Sequence, residues 1–155
     1  MKENGLLSRL FGRSEEPKRS SGPISDFEII TLHESGMRFD REYEILPKGE
    51  LAEVSLYACL HGPERGNRRL EKRATCDMRS FLKLINDCKM LSWDGFDGPH
   101  PKRVRDGVMF HLNATVNGGE QIYARGSQNF PRHYQDLKDG FYGILENAEY
   151  VREKE

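Results

Sequence analysis

Asp94, Asp97 and His100 place two carboxylates and an imidazole within seven residues, in the pattern D-x-x-D-x-x-H. Such a spacing lets one loop offer oxygen and nitrogen donors to a cation. A closed metal site also needs a fourth protein ligand and outer hydrogen-bond partners. The sequence identifies neither, so the stretch reads as an acidic turn, and no metal or cofactor is expected. Gly126-Ser127-Gln128-Asn129-Phe130-Pro131 sets small polar residues before an expected helix start, where free N–H groups and the helix dipole favour an anion. A P-loop would need a second glycine and a Lys-Ser/Thr pair, so the stretch is assigned to helix capping. Cys76 precedes a helix N-cap, Asp77. The dipole there lowers a thiol pKa while the neighbouring carboxylate raises it. A nucleophilic pairing of Cys76 with His111 or His133 would need contact in space. Ser-centred elbows, H-E-x-x-H and glycine-rich dinucleotide patterns do not occur in the sequence. Whether the protein is an enzyme is left open, with the balance against it.

Two arginine-rich clusters could follow a phosphate backbone: Arg65, Arg68, Arg69, Lys72 and Arg73, then Lys102, Arg103 and Arg105. Glu64, Glu71, Asp77 and Asp106 dilute them, and no aromatic residues are interleaved for base stacking. Solvated surface is the simpler reading, and nucleic acid is disfavoured as a partner. The formal charge is -1, from 24 Lys+Arg against 25 Asp+Glu, so no overall field draws in polyanions. Cys59, Cys76 and Cys88 contain no C-x-x-C pair and read as reduced thiols of a cytoplasmic protein. No apolar run approaches the roughly 18 residues of a membrane span, and the start lacks a signal peptide's features.

These residues must be positioned by a single domain, expected over residues 24–155, which 36% hydrophobic residues suffice to build. Residues 1–23 read as a flexible basic leader. Leu6, Leu7, Leu10 and Phe11 make one short apolar stripe flanked by Arg9 and Arg13, capable of no more than weak membrane contact. Strand-forming residues from Phe27 to His33 precede a turn at Glu34-Ser35-Gly36, and Met37 to Ile45 alternates apolar with charged residues. Ala52 to Leu60 carries the cleanest two-residue period, and Arg69 to Thr75 makes a more exposed fourth strand. Met78, Phe81, Leu84, Ile85, Cys88 and Leu91 predict a helix from about Met78 to Met90 behind the Asp77 cap. Val108 to Val116 and the return through Ile122 and Ala124 form a hairpin about Asn117-Gly118-Gly119. Tyr134, Leu137, Phe141, Ile144, Leu145 and Ala148 mark a last helix opened by Pro131, with close packing or a kink expected at Gly140 and Gly143. The expected fold is α+β: an antiparallel meander of about six strands with two helices on one face, in the order ββββαββα.

Trp93-Asp94-Gly95-Phe96, Asp106-Gly107, Gly126-Ser127, Phe130-Pro131 and Tyr134 stand in an order that resembles small bacterial α+β domains of unknown function. In those a tryptophan turn, a hairpin and a G-S-x-x-F-P helix start recur. The resemblance covers residues 77 to 145 and implies a bacterial protein but no chemistry. The functional expectation is a non-catalytic binding or protein-interaction module. Its contact residues would be Trp93, Asp94, Phe96, Asp97, Ser127, Asn129 and Tyr134, on two loops that face a protein or small-molecule partner. The alternatives are a nucleic-acid-binding protein using Arg65, Arg68, Arg69, Lys102, Arg103 and Arg105, or an enzyme centred on His111, His133 or Cys76. A sheet face left bare would permit a homodimer.

Overall fold

A computed structural model describes residues 22–61 and 66–150; most of the basic leader, with its apolar stripe, and Arg65 lie outside the described residues. The elements are β1 (Phe27–Gly36), β2 (Phe39–Lys48), β3 (Leu51–Cys59), β4 (Arg68–Asp77), α1 (Met78–Asp87), a 3-10 helix (Met90–Trp93), β5 (Asp97–Gly98), β6 (Met109–Val116), β7 (Glu120–Ser127) and α2 (Tyr134–Leu145). The fold is α+β, with a mostly antiparallel sheet and two helices. Its strand order is β4-β3-β2-β1-β6-β7-β5.

This corrects the expected six-strand antiparallel meander in count and in order. β1 lies inside the sheet, paired with β2 on one side and with β6 on the other. The seventh strand, β5, runs parallel to β7. It forms because the tryptophan turn is laced along β7: Gly95 N donates to Tyr123 O at 2.8 Å, and Arg125 N donates to Phe96 O at 3.0 Å. Tyr123 N also donates to the Asp94 carboxylate at 2.7 Å.

Alternation sends Ile30, Leu32, Tyr43, Ile45, Val54, Phe110, Leu112, Ile122 and Ala124 to one buried face. Both helices lie on it. Phe81 of α1 meets Phe27 at 5.4 Å between ring centroids, and Phe141 of α2 meets Tyr43 at 5.6 Å. Asp77 caps α1 as expected, accepting from Ser80 N at 3.0 Å. A Cβ on Gly140 would come within 2.5 Å of Leu84, so the helices cross closely there, whereas Gly143 faces open space.

Three boundaries differ from the sequence pattern. Glu34-Ser35-Gly36 continues β1, and the turn falls at Met37-Arg38; Glu34 stays in the strand because its charge is compensated inside the fold. α1 stops at Asp87, since Lys89 adopts a left-handed φ of 59° and the chain re-enters as the 3-10 helix. α2 starts at Tyr134, three residues past Pro131, because His133 is left-handed at φ 69° and separates the proline turn from the helix.

Candidate functional site

His33 and Glu34 are consecutive on β1, and Asp40 and Arg41 are consecutive on β2. Pleating therefore turns one member of each pair to each face of the sheet. On the covered face, Glu34 stands directly opposite Arg41 and is fully buried. Arg41 donates to one Glu34 oxygen from Nε at 3.1 Å and from Nη2 at 3.0 Å. Lys138 Nζ lies 3.1 Å from the other oxygen, to which the Tyr134 hydroxyl also donates. Burial first, then the Glu34 charge, raises the Tyr134 pKa far above its ordinary value, so it stays a phenol. Each donor here is used in holding α2 to β1 and β2.

On the open face, His33 hydrogen-bonds Asp40 through Nε2, diagonally across the same hairpin. The end of β3 brings Cys59 to them, and the ligand atoms of His33, Asp40 and Cys59 all lie within 4.8 Å of one another. Among the described residues this is the one group of three such donors gathered so closely. His61, just past β3, places Nε2 3.4 Å from the second Asp40 oxygen. His111, directly opposite His33 on β6, stacks beside it at 6.4 Å between ring centroids. A bulge in β4 shifts the register between Leu56 and Tyr57 and sets Arg68 opposite Cys59. Arg68 lies over the Tyr57 ring at 3.8 Å and donates to Glu42 at 2.7 Å and Glu44 at 2.9 Å.

His33, Asp40, Glu42, Cys59, His61, Arg68 and His111 line an open pocket of about 710 Å³. A neighbouring hollow of about 690 Å³ shares Asp40, Cys59 and His61, so the cluster is reached from two sides. Burial and the carboxylates of Asp40 and Glu42 push the Cys59 thiol up to about 11. Burial, then His33 and Arg125, lowers the His111 pKa, leaving its imidazole neutral at neutral pH.

The residues singled out on the two loops divide into core and rim. Trp93 and Tyr134 are 3% and 4% exposed and pack ring against ring at 6.0 Å, and Phe96 packs on Phe110. Asp94 binds Tyr123 N, Asp97 lies 3.3 Å from Arg125, and Asn129 donates to Pro99 O. Ser127 shares a 2.8 Å hydrogen bond with His100. Asp94, Asp97 and His100 thus have separate partners. The two loops do meet at a hollow of about 490 Å³ lined by Trp93, Phe96, Phe130, Pro131 and His133.

Within the first arginine cluster, Arg68 is held by Glu42 and Glu44, Arg69 lies 3.8 Å from Glu71, and Arg73 lies 3.5 Å from Glu53. Lys102, Arg103 and Arg105 are exposed on the loop before β6. The Cys76 thiol is raised, by burial and then by Asp77, so the dipole does not win there. The sequence pattern does not single out His33, Asp40 and His61, and it marks Cys59 only as a reduced thiol. The available signals were Cys59-x-His61 at a strand end and His33 and Asp40 on either side of a turn; only the register of three strands joins them.

No protein-family model matches the chain, and no curated protein is significantly similar to it.

Proposed function

We propose that the protein is a non-catalytic binding module whose ligand sits on the sheet face opposite the helices. The observation that carries the reading is convergence: His33, His61, His111, Asp40 and Cys59 come from four places in the chain and open on one pocket. Ligand sites concentrate a few convergent polar groups in a concave surface in this way. Binding is favoured over nucleophilic catalysis because the Cys59, Cys76 and Cys88 thiols are all raised, whereas a thiol nucleophile needs a lowered pKa. A thermal-shift panel of divalent cations, nucleotides, sugars and short RNA tests the reading. At least one class should raise the midpoint of the full chain, and His33→Ala should abolish the rise. A rise that survives His33→Ala and is lost in Phe130→Ala would move the site to the loops.

That second reading has its own support in the hollow between the tryptophan turn and the Phe130–His133 segment. There the ligand would be a partner side chain inserted between Phe96 and Phe130. Because Trp93 is buried beneath that hollow, it would act as its floor.

A further inference from the structure

We infer that His33, Asp40 and Cys59, with His61 as the fourth ligand, bind a divalent transition-metal ion of the zinc class. The inference rests on the reading of the open face as the binding face and names what that face takes. A His33–Asp40 pair alone would be an ordinary cross-strand contact, worth little on a surface. Here a thiol and a second imidazole join the same carboxylate, and the four side chains come from β1, β2 and the end of β3 with its following residues.

The donor set selects the ion. One sulfur, two imidazole nitrogens and one carboxylate oxygen suit zinc, which takes sulfur at about 2.3 Å, nitrogen at about 2.0–2.1 Å and oxygen at about 2.0–2.2 Å in a tetrahedron. Magnesium and calcium take oxygen ligands. Tetrahedral bonds of those lengths put ligand atoms roughly 3.3–3.7 Å apart, and the three donors already lie within 4.8 Å. Side-chain movement would bring the three to those separations, and His61, 3.4 Å from the second Asp40 oxygen, would turn in as the fourth. On binding, the sulfur–metal bond forms as the thiol proton leaves to solvent, and no electron changes hands. Around the ligands, His111 stacks on His33, and Glu42, held by Arg68, lines the same pocket.

The test is titration of the full chain, cleared of metal with a chelator, with Co2+ and then Zn2+. The expected result is one ion per chain, a tetrahedral cobalt spectrum with a near-ultraviolet thiolate charge-transfer band, and displacement by Zn2+ but not by Mg2+. Cys59→Ser should remove the charge-transfer band. Cys59→Ser, His33→Ala and Asp40→Ala should each weaken binding by more than the about 10–100-fold that outer-partner mutations cost. His61, with a side chain 71% exposed, gives a variant that cannot disturb the core, and His61→Ala should still weaken binding. An octahedral spectrum without the charge-transfer band, or affinity unchanged in Cys59→Ser and His61→Ala, overturns the inference. Amide NMR of the same samples separates the two readings. If no ion binds but a nucleotide or sugar shifts the His111 and Asn113 resonances, the metal falls and the binding face stands. If only Phe130 and His133 respond to any probe, both fall.

Discussion

The two faces of the sheet use the same two dipeptides to opposite ends. Glu34 and Arg41 meet inside, where Tyr134 and Lys138 complete a network around a fully buried carboxylate. His33 and Asp40 meet outside, where Cys59 and His61 gather on the face turned away from both described helices. Desolvation makes the inner cluster intolerant of losing a member, because a stranded buried charge has no water to fall back on. The outer cluster keeps water at hand, so its members are replaceable for stability and available for binding. Side chains one residue apart thus divide into a structural lock and a receptive surface.

The largest effect is expected where the fully buried Glu34 carboxylate loses its guanidinium: Arg41→Ala should cost about 3–5 kcal/mol in urea unfolding, because it leaves a buried charge short of its partner. A loss below about 1 kcal/mol would show water entering the inner cluster as freely as the outer one. Tyr134→Phe keeps the ring and removes only the hydroxyl; it should cost about 1–3 kcal/mol by the same unfolding measurement. Gly140→Ala tests the helix crossing above the network. Leu84 must move aside, and the expected loss is about 1–3 kcal/mol in the same assay. On the outer face, Arg68→Ala should change stability by no more than about 1 kcal/mol, as for exposed ion pairs, read from the denaturant midpoint.

The smallest effect is one of pH. The folded His111 pKa lies below its ordinary value, so the unfolded chain binds the proton more readily, and stability falls as pH drops below about 6.5 through the folded pKa. With a chelator present, the stability advantage of the native chain over His111→Gln should shrink between pH 7 and about pH 5. A difference independent of pH would show that His111 titrates as if unfolded.

Much of the architecture was legible because it follows from period and turn chemistry. The Asp77 cap, the inward rows of β3 and β6 and the Asn117-Gly118 hairpin are all local statements. Asn117 and Gly118 both take positive φ, as that turn demands. The local pattern assigns Glu34 to a turn because the partners that permit its burial, Tyr134 and Lys138, lie about a hundred residues away. β5 was missed because two residues carry no periodicity and hold their place through bonds to β7. The outer cluster was hidden for a related reason. Its residues are unremarkable singly, and only the β1–β2–β3 register, with the bulge that aims Arg68, brings them together. The tryptophan turn drew attention by composition, yet its ring is core.

The interior position of β1 has a kinetic consequence. Its pairing with β2 closes over a two-residue turn, but its pairing with β6 joins Phe27 to Val116 and Ser35 to Met109. These residues are more than seventy positions apart, so the second seam bears a large loop-closure entropy. Hairpins β1–β2 and β6–β7 can zip independently on the microsecond scale, and joining them is the slow search that sets the folding rate. Until that seam closes, the facing edges of β1 and β6 both stand open as templates for another chain.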